Sequence, residues 1–394
     1  MKIAVKLSLS ILALTYIAAC TSGGTTEGGT SSLSVAESSY SATAGSNGAA
    51  TMTVTVPEGS NAFQLVISSS SGYAQVSDLV GPDGASVFSL KSAAYSGGLG
   101  LQLSPVTVSV PVQGGPAKSG AYTLTVAAQT AKGSGAGGST ISVQVISKND
   151  KNLSAGTLRV NMILLGAVAG DENMRSGMEG AVEVWKQIFA RANLKLDLSW
   201  YDFSGEATAP APGAAVYNDI TTGVRNNSLN VVVATKISGT GGTSFQYGIP
   251  GAIGGAAIPS SRSVVTLSAL AVTGNDGQFN NTDEIRRGIT QKSDDEVRVA
   301  GEELAQMAGH YLGLQHVVEI SGNTVSQSDF LGDTSSCVSL ASCRSSGTRS
   351  NFMFPYPLTM DRTADVVTKR NQKYPREDIT AAQAAVMNAH VLVD

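Results

Sequence analysis

The chain has 394 residues, enough for two domains at roughly 100–200 residues each, so a single small scaffold is excluded. Charged residues make up 14% of the total, and 26 basic against 30 acidic side chains leave a formal net charge of -4. That balance carries no basic footprint for nucleic acid. There are three Cys (Cys20, Cys337, Cys343) and three His (His310, His316, His390), so a three-histidine metal site would need every His in the chain.

Lys2 and Lys6 form a positive start, and Leu7 to Ala19 is an apolar run interrupted by Ser8, Ser10 and Thr15. It is shorter than the ~20 apolar residues that a permanent membrane helix needs. The run ends Ile17-Ala18-Ala19-Cys20, which resembles the bacterial lipoprotein signal. The resemblance implies cleavage after residue 19 and acylation of the Cys20 thiol, palmitate being one such chain. The expected location is then the bacterial cell envelope, with a lipid anchor in a membrane. The bland alternative is an ordinary signal peptide with an incidental Cys. Thr21 to Ser32 is Ser/Thr/Gly with one Glu, a composition expected of a flexible tether over 20–32.

Residues 33–147 read as an all-β sandwich. Met52, Val54 and Val56 alternate with threonines, as do Val106, Val108 and Val110 with Thr107 and Ser109. Tyr122, Leu124 and Val126, then Ile141, Val143 and Val145, repeat the period of two, and turns such as Gly114-Gly115-Pro116 separate the runs. After the polar stretch Ser147 to Asn152 the texture becomes α/β. Leu158 to Leu165 and Leu194 to Tyr201 read as strands, and Asn173 to Ala192 as a helix with Met174, Met178, Ala181, Val182, Trp185, Ile188 and Phe189 on one face. A second helix is expected over Val216 to Arg225, strands over Leu229 to Ala234 and Ser263 to Ala269, and a Gly-rich loop from Gly239 to Gly255. A last helix is expected over Asp378 to Ala389.

Ser293 with Glu296 is a capping-box signature, and Val297, Ala300, Leu304, Met307, Ala308 and Tyr311 continue an apolar helical stripe towards Gly313. Within it, Gln306-Met307-Ala308-Gly309-His310-Tyr311-Leu312-Gly313-Leu314-Gln315-His316 resembles the metzincin zinc-peptidase pattern HExxHxxGxxH. His310, Gly313 and His316 match the second ligand, the helix-ending Gly and the third ligand. Ligands four apart share a helix face, and a Gly lets the chain turn so that a third reaches the same ion. Asn351-Phe352-Met353-Phe354-Pro355 resembles the family's Met-turn, with Met353 under the metal. Asp333-Thr334 and the stretch from Thr380 to Val393 with Gln383 resemble the pappalysin-like branch. The likeness covers 157–394 and implies a metallopeptidase-like α/β domain.

The chain departs from the pattern at two positions. Gln306 stands at the first His ligand and Met307 at the catalytic Glu. A thioether transfers no proton, and general acid–base work is typically worth 10²–10⁴-fold. An amide oxygen is a poorer zinc donor than imidazole, so zinc would rest on His310 and His316 with Gln306 as a weak third donor. Glu303 lies about 10.5 Å along the axis from His310 at 1.5 Å per residue, and reads as a solvated or capping carboxylate. His390 reads as a surface residue. Tyr356 sits three after Met353, one beyond the position from which some metzincins ligate, and Asp329 or Asp333 are candidate oxygen donors. Cys337 and Cys343, six apart in a Ser-rich stretch, read as a disulfide after export; two metal thiolates are the alternative and would need further close ligands.

Three functions follow as expectations: a pseudopeptidase retained for binding polypeptide or an envelope component, an active zinc endopeptidase with an altered first ligand, or an adhesion module acting through the β-sandwich.

Overall fold

The computed structural model describes residues 35–89, 105–112, 115–130, 133–150, 152–205, 208–209, 216–237, 246–247, 264–273, 279, 284–286, 289–291, 293–321, 324–327, 329, 331–355 and 375–394. Cys20, the tether, Tyr356 and nearly all of the Gly-rich loop lie outside them. The described residues are mostly β-sheet with few helices, in several separate sheets. No helix among them is long and apolar enough to cross a membrane.

The first eight strands are β1 (Val35–Thr43), β2 (Ala49–Val56), β3 (Ala62–Ser69), β4 (Tyr73–Val80), β5 (Ser86–Ser89), β6 (Val106–Val110), β7 (Gly120–Gln129) and β8 (Thr140–Lys148). They form two four-stranded sheets, in the orders β1-β8-β3-β6 and β2-β7-β4-β5. Every pairing is antiparallel. The alternation in the sequence sets which side chains meet. Val54 and Val56, Leu124 and Val126 from one sheet share a core with Leu65 and Ile67, Val106 and Val108, and Val143 and Val145 from the other. Polar residues at the intervening positions of β2 and β7 face outwards, as a half-buried sheet requires.

The first of these sheets buries part of its second face as well, over β6, most of β3 and the end of β8. All five residues of β6 are buried, and so is Gln64 of β3. The cover comes from the far end of the chain: Val391 packs with Val66 and Ile146.

The largest described sheet of the α/β part has five strands: β9 (Gly156–Leu165), β10 (Leu194–Phe203), β11 (Leu229–Ala234), β12 (Gln246–Tyr247) and β13 (Val264–Ser268). Their order is β10-β9-β11-β13-β12, parallel except for β12. Helix α1 (Glu172–Ala190) starts where Asp171 accepts bonds from the amides of Asn173 and Met174. The apolar stripe expected of it, Met174 to Phe189, is buried. It packs with Leu158, Val160, Met162 and Leu164 of β9 and with α2 (Ser293–Tyr311) in one core. The opposite face of the sheet, through Ile163, Val232 and Ala234, is covered by Tyr217 and Ile220 of a five-residue helix, Val216–Ile220. That helix is shorter than the expected 216–225, because the Thr221 hydroxyl bonds back to the Tyr217 carbonyl and Gly223 turns at φ 80°. The last helix, α3 (Ala381–Ala389), begins later than expected: Thr380 is its N-cap, in a capping box with Gln383.

Candidate functional site

Helix α2 carries Gln306, Met307 and His310 on its last turns, and Gly313 then takes φ 101°. An L side chain pays strain there, which glycine avoids. The turn brings His316 back so that its ring lies 4.6 Å, centroid to centroid, from that of His310 and edge-on to it. The His310 Nδ1 is 2.9 Å from the Leu314 carbonyl and the His316 Nδ1 is 3.0 Å from Glu319 Oε1. A carbonyl only accepts, and so does an ionised carboxylate. In its neutral form such a ring carries its proton on Nδ1 and its lone pair on Nε2. Burial, with the His316 charge adding to it, pushes the His310 imidazole down to about 3, so His310 is neutral at ordinary pH.

Met353 sits beneath the helix. A Cβ on Gly309 would lie 2.6 Å from the Met353 sulfur and 2.8 Å from the Phe352 ring, so only glycine permits this approach. The Met353 carbonyl also accepts from the amide of Val317 at 3.2 Å, which ties the turn to the residue after His316. His310, Gly313 and His316 thus lie along one turn that Met353 holds from below.

Gln306 does not join the two histidines as a donor. Its amide is fully buried, with Nε2 donating to the Phe354 carbonyl at 2.9 Å and Oε1 accepting from Arg376 Nη1 at 3.0 Å. The oxygen that a metal would use is already held by a cation. Met307 is fully buried in the core shared by α1 and α2, with nothing acid or basic to offer a water.

Glu303 differs from the reading as a solvated or capping carboxylate. It is 1% exposed and its Oε1 is held by Arg376 Nη2. Burial pushes its carboxyl above the ordinary glutamate value, with the Arg376 guanidinium opposing. Arg376 also donates through Nε to Glu302 Oε2 at 3.3 Å and through Nη1 to the Phe354 carbonyl at 3.0 Å. Arg298 pairs with both Glu302 and Glu377, and Arg191 with Glu377 and Asp378, so the ion pairs run from the buried helix face to the surface. Arg376 and Glu302 had no signal in the sequence, since their spacing belongs to no motif.

His390 is also corrected: it is 2% exposed, because α3 ends against the sheet that contains β3. Its Nδ1 accepts from the Leu392 amide at 3.2 Å and its Nε2 lies 3.2 Å from Gln64 Nε2. Asp329 Oδ1 accepts from the Thr334 hydroxyl at 2.9 Å. Asp333 accepts from the Thr380 hydroxyl and the Ala382 amide at the start of α3. The Cys337 and Cys343 sulfurs are bonded, 2.06 Å apart.

A catalytic zinc ion takes three protein ligands and a water. Among the described residues no group of three or more His, Cys, Asp or Glu is arranged to hold a metal, and the amide of Gln306 is engaged elsewhere. The donor set does not fit a three-ligand zinc centre.

No protein-family model matches this chain, and no curated protein does. Among solved structures, metalloproteinase-II from Bacteroides fragilis is similar at 11% identity over 42% of this chain and 45% of that chain, with a TM-score of 0.27. A family two carbohydrate esterase from Cellvibrio japonicus is similar at 11% identity over 52% and 82%, with a TM-score of 0.14. The chain therefore spans less than half the length of the metalloproteinase.

Proposed function

We propose that this is a lipid-anchored envelope protein in which a β-sandwich, residues 33–147, precedes a metzincin-like α/β domain, residues 157–394, that no longer hydrolyses peptides and serves to bind a polypeptide or an envelope component. The single observation that carries the loss of hydrolysis is the state of Gln306. Its oxygen is turned to Arg376 and its nitrogen to Phe354, beside a Met307 enclosed in the core. Neither a third ligand nor a general base stands where the pattern needs them. The surviving His310, Gly313, His316 and Met353 support descent from a zinc site, and the lipoprotein-like start supports the anchor.

One observation favours an active zinc endopeptidase: both imidazoles are oriented through Nδ1 by oxygen acceptors, as metal-ligating histidines commonly are. The two readings separate in one assay. The full chain in detergent is incubated with zinc and unfolded casein, beside a His310→Ala variant. The expected result is intact casein with both proteins, together with casein retained on the immobilised wild type. Zinc-dependent cleavage by the wild type that His310→Ala abolishes would establish the endopeptidase instead.

A further inference from the structure

Helix α2 presents Glu302, Glu303 and Gln306 to one guanidinium. Arg376 is fully buried, and its fork meets both carboxylates, the Gln306 amide oxygen and the Phe354 carbonyl. Its backbone amide adds a second bond to Glu302 at 3.3 Å. All these partners are oxygen acceptors, three of them side chains of α2 and one a carbonyl of the turn around Met353. Arginine does not lose its proton in proteins, so this buried positive charge is permanent.

We infer that Arg376 is an internal cation that replaces a divalent metal in this site: it holds α2 and the 351–354 turn in register, and its charge keeps a metal out. The inference rests on the reading that residue 306 is a lost ligand position. A metal ion held through the residue 306 oxygen would have to compete with the guanidinium 3.0 Å from it, and the two like charges repel to the extent that Glu302 and Glu303 do not offset them. Replacing Gln306 and Met307 by the residues of the peptidase pattern would therefore not be enough to restore zinc binding.

The test is zinc affinity, measured by titration calorimetry on the full chain in detergent, for Q306H/M307E, for Q306H/M307E/R376M and for Q306H/M307E/R376K. The methionine triple variant is expected to bind one zinc about 10- to 100-fold more tightly than the double variant, the scale at which neighbouring groups tune metal sites. The lysine triple variant, which keeps the charge without the fork, is expected to stay as weak as the double. Equal affinities across all three, or zinc binding by none, would overturn the inference while leaving the loss-of-hydrolysis reading intact. Zinc-dependent proteolysis by the wild type would strike that reading first. Arg376→Met leaves Glu302 and Glu303 buried without their cation, so a second measurement uses the wild type alone: its melting temperature is expected to be the same in EDTA and in excess zinc. A rise on adding zinc would overturn the inference even if the methionine variant does not fold.

Discussion

Gln306 can be oriented in only one way. Turning its amide over would set an NH₂ against the Arg376 guanidinium, donor facing donor, with both side chains fully buried. The pattern around it is local, within one helix turn and one tight turn: His310 to His316 is seven residues of chain. Arg376 is 70 residues from Gln306 and 73 from Glu303, so nothing local announced that the cation would arrive there, and Glu303 looked like an ordinary surface carboxylate. Gly313 offers a test at this scale. Gly313→Ala puts a Cβ at φ 101° and 3.1 Å from the Ser109 Cβ, and is expected to lower stability by about 1–2 kcal/mol, read from the urea midpoint. An unchanged midpoint would mean that the turn relaxes without strain.

At the scale of elements, the amphipathic helix α1 was legible almost to the residue, because its stripe has a period that needs no partner to be recognised. Trp185 is fully buried there, edge-on to Phe189 at 5.6 Å. Trp185→Ala is expected to cost about 3–5 kcal/mol by denaturant unfolding. The docking of the end of α3 and the segment after it was not legible. Asn388 to Val393 lies between the sheet of β1, β8, β3 and β6 and the start of β9, where Val393 bridges to Leu158 and Asp394 exchanges backbone bonds with Thr157. Lys148, at the end of β8, donates to the carbonyls of Asn388 and Val393. Burial holds its ammonium below the ordinary lysine value, with Asp150 opposing. The unfolded chain thus keeps this proton to higher pH than the folded one, and folding gains stability as pH rises from the folded value towards 10.5. The stability of the wild type minus that of Lys148→Met is expected to be larger at pH 10 than at pH 8. A difference that shrinks with pH would refute this.

For the whole molecule, the polar and apolar contacts at this seam join the two apolar cores through one short stretch of chain. A single calorimetric unfolding transition is expected for the described part, with Lys148→Met lowering it or splitting it in two. The Cys337–Cys343 bond closes a loop of only six residues' separation, so in the chain-entropy picture its reduction is expected to cost about 2 kcal/mol, measured as the shift in the urea midpoint on adding a phosphine reductant. The proposed anchor is tested by labelling with an acyl donor, where Cys20→Ser is expected to remove all incorporation.

The seam also bears on the order of folding. The bonds that Lys148 makes span 240 and 245 residues, and the contact of His390 with Gln64 spans 326. Contacts this distant in sequence form slowly, since a long loop must close before they reward the chain. Until the segment around Val391 arrives, the outer face of β3 and β8 holds Val66, Ile146 and Gln64 against water. A chain in which that sheet forms before the segment docks would leave this apolar face uncovered, and association with other chains would start there.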